Sequence, residues 1–126
     1  MAIDVPRYPT VVHMLDAAFR RAPEREALVF RDRRLTYAEY VSCVAGFAAE
    51  LESHGARGSR VVSVLGNSIE ACIVPFAAMA AGAQYVPLNP LYTPRELAFL
   101  IADAAPCAVI VEAAVQANVA PALPAG

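Results

Sequence analysis

Two histidines, three cysteines and a scatter of carboxylates are the side chains here that could move a proton or attack an electrophile. His13 falls on the polar side of a helical repeat. His54 ends a helical stretch beside Gly55, where a cation suits the helix dipole. Both read as surface groups rather than as an acid and a base. Glu70 and Glu96 each fall in the first turn of a predicted helix, where the dipole alone, worth roughly 0.3–1 kcal/mol, accounts for a carboxylate. Cys43, Cys72 and Cys107 sit in apolar runs with no CxxC pair and no neighbouring histidine. They read as buried free thiols of a reducing compartment. The serines have no GxSxG setting, so nucleophilic catalysis finds no support.

Phosphate chemistry fares no better. All ten basic residues are arginines, which excludes a P-loop lysine, a Schiff-base lysine and a lysine on an acyl phosphate. Gly66-Asn67-Ser68 could offer free N–H groups to an anion, but there is one glycine and no GxGxxG or GxxxxGK[ST], so a plain N-cap is the simpler reading. Tyr85 and Tyr92 suit either a pocket mouth or a packed core. The expectation is therefore no catalytic, no cofactor-binding and no metal-ligating residue in this chain. With 17% charged residues and a net charge of −2 there is no basic field for nucleic acid.

The elements that would position these groups follow from periodicity. At 126 residues and 58% hydrophobic, the chain suits one small domain with a real core. Thr10 caps a predicted helix to about Arg21, with Val12, Leu15 and Phe19 on one face. Glu26–Arg31 and Arg34–Thr36, joined by Asp32-Arg33, predict a β-ribbon. Thr36-Tyr-Ala-Glu39 is a capping-box pattern, followed by a stripe of Tyr37, Tyr40, Val41, Val44, Phe47, Ala48 and Leu51, with Gly55 as the left-handed stop.

Arg60–Leu65 is rich in β-branched residues without alternation, as a strand buried on both faces must be. Ile69, Cys72, Ile73, Phe76, Met79 and Ala80 continue in helical period, with Pro75 expected to kink or split that helix. Gln84–Leu88 and Cys107–Val111 predict two more strands, with a helix opened by Thr93-Pro94 between them. The result is an α/β protein: a short parallel β-α-β-α-β unit preceded by two helices and a small β-ribbon. Residues 112–126, rich in alanine, valine and proline, are expected to form a low-order tail. The start lacks a secretory leader, so the cytoplasm is the default compartment. The longest uncharged stretch, Ala71–Ala83, is far short of the roughly 20 residues a membrane span needs.

Two segments carry a family resemblance. Leu35-Thr36-Tyr37-Ala38-Glu39-Tyr40 is similar to the first core motif of the adenylate-forming superfamily. Met79–Pro90, containing Gly82, Pro87, Asn89 and Pro90, is similar to the second, in the same order and at about the same separation. Tyr92–Leu97 looks like the segment that follows in fatty-acyl and aryl-CoA ligases. The resemblance runs from about Val12 to Val111. Asn89-Pro90 is the form associated with acyl- and aryl-CoA ligases, where aspartate at that position would point to amino-acid-activating modules.

The resemblance implies an acid–thiol ligase: a carboxylate attacks the α-phosphate of MgATP, and CoA then displaces AMP. ATP, Mg²⁺ and CoA would serve the full-length parent. The family's phosphate loop, ribose-binding aspartate and catalytic lysine are expected beyond Gly126, so residues 1–126 would be an incomplete amino-terminal subdomain, inactive alone. Leu35, Thr36, Tyr37, Glu39, Gly82, Pro87, Asn89 and Pro90 would then be structural motif residues. Many relatives carry a basic residue after Asn-Pro where this chain has Leu91. The expected partners are the parent's carboxylic acid and the remainder of its amino-terminal domain, and exposed apolar surface predicts self-association. A stand-alone, non-catalytic interaction module and an amino-acid-adenylating fragment are the alternatives.

Overall fold

In the computed structural model, residues 3–124 are described, and they form two sheets and five helices. Helix α1, Val11–Arg21, begins where the Thr10 hydroxyl accepts from the His13 N–H, and it buries Leu15. Strands β1 (Glu26–Phe30) and β2 (Arg33–Thr36) pair antiparallel. Their turn is Arg31-Asp32, one residue earlier than the sequence suggests. Arg31 takes a left-handed φ of 55°, which lets Phe30 and Arg33 face each other directly.

Helix α2, Tyr37–Ser53, starts at a complete capping box: Glu39 N–H donates to Thr36 Oγ1 at 3.2 Å, and Thr36 N–H donates to Glu39 Oε2 at 2.7 Å. Tyr40, Val44, Ala48 and Leu51 form its buried line, and Gly55 at φ 79° ends the turn. Removing the cap acceptor leaves an N–H of the first turn without its partner. Thr36→Ala is therefore expected to lower unfolding free energy by about 1 kcal/mol, read from the urea midpoint.

Strand β3 (Arg60–Val64) lies between β4 (Gln84–Leu88) and β5 (Ala108–Val111), parallel to both. Its neighbours hold both of its edges, and helices cover both of its faces. Val61 joins α2 and helix α3, Ile69–Ala80, in one core. Val62 and Val64 join Leu97, Ile101 and Ala104 of helix α4, Pro94–Ala104, in the other. The α/β class and the order of ribbon, helices and parallel strands are as the sequence predicts.

Four expectations need correction. Pro75 does not split α3, which runs as one helix; only one backbone bond is lost, and packing against α2 holds the turn. The buried face of α3 is Ile69, Val74, Ala77 and Ala78, while Cys72 and Met79 are exposed. That helix is apolar nearly all round, so its period cannot choose a face. The cysteines are not buried: Cys43 and Cys72 are exposed and Cys107 is half-buried, because the apolar runs holding them are wider than the stripes that pack.

Last, residues 113–122 are not low-order. Ala113–Val115 and Ala120–Ala122 are 3₁₀ turns around the short helix α5, Gln116–Val119. Val119 is fully buried in the α4 core, and one anchored apolar side chain per turn is what orders this segment. Ala125 and Gly126, the end of the expected tail, lie outside the described residues, as do Met1 and Ala2.

Candidate functional site

The carboxyl ends of the three strands form a rim, and the second motif delivers the chain to it. Gly82 has φ 78°, closed to most L side chains, and its carbonyl accepts from the Gly58 N–H at 2.9 Å. A Cβ there would lie 3.7 Å from Arg57 Cα, so the chain leaves α3 tight against the loop before β3. Pro87 sits in β4 opposite Ser63. β4 is an edge strand, where a proline costs no ladder bond if its nitrogen faces outward.

Asn89 Oδ1 accepts from the Leu91 N–H at 2.9 Å, and the Asn89 carbonyl accepts from the Tyr92 N–H at 3.1 Å. Asparagine first and proline second is what such a turn prefers. It hands the chain to α4, whose Thr93 and Glu96 form a second capping box with Pro94 in the first turn. Thr93-Pro94 alone predicts only a proline-opened start; Glu96, three residues on from Thr93, is the signal in the sequence that gives the full box.

The first motif works the same way. Leu35 pairs with Leu28 across the ribbon, Tyr37 N–H donates to the Arg25 carbonyl at 3.0 Å, and Thr36 and Glu39 cap α2. The side-chain hydrogen bonds made by Thr36, Glu39 and Asn89 close within three positions of chain. Among the described residues, none links one motif to the other. Such groups shape turns and helix starts.

Ser63, 2% exposed, shares a 2.6 Å hydrogen bond with Tyr85 Oη, which places Tyr85 at the sheet rather than at a pocket mouth. Tyr92 is exposed beside Arg95 and Phe99. His13 Nδ1 lies 2.7 Å from Thr10 Oγ1 on the surface, and His54 Nε2 lies 3.2 Å from Glu50. Arg33 donates to Glu70 at 2.8 Å, tying the ribbon to the start of α3 and lowering the Glu70 pKa below the ordinary carboxylate value. Glu96 is lowered by the Thr93 N–H and hydroxyl of its own cap. Ser68 Oγ accepts from the Ala71 N–H at 3.1 Å, as an N-cap does. Sequence reasoning missed that Glu112, at the end of β5, reaches Gly66 at the end of β3, where a Cβ would lie 3.2 Å from Oε1.

Burial pushes the Tyr40 phenol up to about 12, with the Cys72 and Tyr37 side chains adding to the effect; its hydroxyl donates to the Cys72 carbonyl at 2.6 Å. The unfolded phenol titrates near 10. A folded value above the unfolded one means full stabilisation below pH ~10 that is lost as pH climbs toward ~12. Ultraviolet titration is expected to show a late phenol that is absent in Tyr40→Phe.

Among the described residues, no three His, Cys, Asp or Glu side chains converge as a metal site. The chain carries no lysine and no glycine-rich loop, and no catalytic step is assigned to its residues.

The profile of the AMP-binding enzyme family matches residues 15–125. The chain belongs to the AMP-binding enzyme family. It is 33% identical over 111 residues to a long-chain-fatty-acid–CoA ligase of Haemophilus influenzae, covering 86% of this chain and 20% of that protein. It is 37% identical over 105 residues to a linear gramicidin synthase of Brevibacillus parabrevis, covering 82% of this chain and 2% of that protein. Among solved structures, the crystal structure of VinN superposes with a TM-score of 0.87 at 30% identity, over 95% of this chain and 31% of VinN. The chain thus spans a fifth or less of the lengths of the ligase and the synthase. No described helix is long and apolar enough to cross a membrane.

Proposed function

We propose that this chain is the amino-terminal part of an ATP-dependent carboxylic acid–CoA ligase of the cytoplasm, and that residues 1–126 form an incomplete subdomain, inactive alone. The observation carrying this reading is the Asn89-Pro90 turn at the carboxyl end of β4, the form the resemblance associates with CoA ligases. Likeness to the Haemophilus influenzae fatty-acid–CoA ligase over most of the chain supports it. In the parent, segments outside this chain supply the phosphate loop, the ribose contact and the lysine, and they bind ATP, Mg²⁺, CoA and the acid. Residues 1–126 supply the walls on which those segments pack.

One observation favours a second reading. The linear gramicidin synthase matches at 37% identity, which supports an amino-acid-adenylating parent. Acid-dependent ATP–pyrophosphate exchange separates the two. The chain alone and a longer chain carrying the downstream coding sequence are each offered fatty, aryl and amino acids. The expected result is exchange only in the longer chain, with a fatty or aryl acid. Exchange with amino acids moves the assignment to the second reading; no exchange with any acid leaves a non-catalytic interaction module; exchange by residues 1–126 alone overturns the argument from the missing lysine.

A further inference from the structure

Six of the ten arginines fall between positions 20 and 34, on the end of α1 and along the β-ribbon. Three of them are matched by carboxylates: Arg20 by Asp16 at 2.7 Å, Arg33 by Glu70 at 2.8 Å and Arg34 by Glu26 at 2.7 Å. Arg31 lies over the Phe30 ring at 5.3 Å. The other two, Arg21 and Arg25, make no side-chain hydrogen bond or ion pair among the described residues. Both line one recess of about 330 Å³, together with Ala18, Ala22, Glu26 and Tyr37. Backbone bonds hold its shape. Arg25 N–H donates to the Ala22 carbonyl at 3.1 Å and Ala38 N–H to the Pro23 carbonyl at 2.9 Å, so the loop after α1 is clamped on the first turn of α2. The positive end of that 17-residue helix therefore adjoins the two guanidinium groups, and since its N–H groups are already bonded it adds field rather than donors. Glu26 is the one carboxylate lining the recess, and Arg34 Nη1 holds both of its oxygens, at 3.0 and 2.7 Å.

We propose that this recess binds the phosphate group of a small phosphorylated ligand, with Arg21 and Arg25 supplying the two donor forks. Charge selects the ligand class. A phosphate monoester carries about −1.5 to −2 charge at pH 7 and three strong acceptor oxygens, which match two uncompensated guanidinium groups and their planar forks. A carboxylate carries one charge and would leave one arginine unmatched. Ala18 and Ala22 are too short to fill the recess, so there is room beside the forks for what the phosphate is attached to. Arginine is almost never fully buried without a partner. This face therefore meets water or an anion, unlike the apolar depression of Cys43, Phe47, Ile73, Val74 and Ile110, which further chain can cover. The site does not rest on the ligase reading, and either can fail alone.

Calorimetric titration with inorganic phosphate, of this chain and of the longer chain carrying the downstream coding sequence, is expected to show a site that weakens about tenfold in Arg21→Gln and about tenfold in Arg25→Gln, with unchanged circular dichroism spectra. Arg25→Lys, which keeps the charge without the fork, is expected to fall between wild type and Arg25→Gln. Phosphate affinity is expected to rise as pH passes about 6, where the dianion forms, while sulfate, a dianion throughout, shows no such rise. AMP and a sugar phosphate then identify the source: whichever binds more tightly than inorganic phosphate, in the part of the signal that the two variants remove, carries the matching organic group, and equal affinities mean that the phosphate alone is read. No saturable phosphate binding, acetate binding as tightly as phosphate, or affinity unchanged in both glutamine variants overturns the proposal. So does a site present in the short chain and absent from the longer one, since the parent's own groups would then fill the recess. Where residues 1–126 do not stay folded alone, the longer chain and its two variants decide by the same readings.

Discussion

Truncating Leu97 to alanine is expected to lower the free energy of unfolding by about 2–5 kcal/mol, the range for a large aliphatic side chain removed from a close-packed core. Leu97 is fully buried where α4 crosses the sheet, in one cluster with Val62, Val64 and Val119. Val62 and Val64 belong to a strand held on both edges, so they cannot shift to fill the void. A domain of this size has about 5–15 kcal/mol in total, so the loss is a large fraction of it. Phe99, two residues along the same helix and 71% exposed, is the internal comparison. Phe99→Ala is expected to stay within about 0.5 kcal/mol of the parent. Urea denaturation of the two variants side by side checks the claim, and equal losses would mean that α4 does not pack on the sheet as described.

Gly82→Val is expected to cost more than Gly82→Ala, and both to destabilise. Any L side chain at φ 78° carries a penalty of about 1–2 kcal/mol, and valine adds branching at Cβ beside the Arg57 backbone. The strained residue also holds the bond from the Gly58 N–H, so the loop before β3 loosens with it. Shifts in urea midpoint that rank glycine, alanine, valine check this. Equal stability of glycine and alanine would show that the left-handed turn is absent and would remove the structural role given to the second motif.

Where one residue type admits one geometry, the sequence is readable. Thr36 with Glu39 announces the start of α2, and Gly55 announces its end. The valine-rich run at Val61–Val64 announces a strand covered on both faces. These signals are local, and the structure repeats them. What could not be read is non-local. The strand order puts β3 between β4 and β5, and nothing within five residues of β3 encodes that. Helix α3 is apolar on every side, so tertiary packing alone selects Ile69, Val74, Ala77 and Ala78 for burial and leaves Cys72 outside. Val119 looks like filler in an alanine-rich stretch until α4 is there to receive it.

The motif residues at the strand rim were legible as turn and cap formers, because asparagine, proline, threonine and glutamate act on their own neighbours. The approach of Glu112 to Gly66 was not, since it joins the ends of two strands far apart in the chain.

The central strand is also the first of its sheet to be synthesised. Val62 meets Val86 before it can meet Val109, nearly twice as far along the chain, and doubling the loop adds only about 0.6 kcal/mol of closure entropy. Distance is therefore a weak brake, and time on the ribosome is the stronger one. At about 5–20 residues per second, the interval between the emergence of Leu88 and that of Ala104, the end of α4, is about 1–3 s. For those seconds the nascent sheet has one dry side and one wet side, with Val62 and Val64 facing water or whichever chaperone holds them.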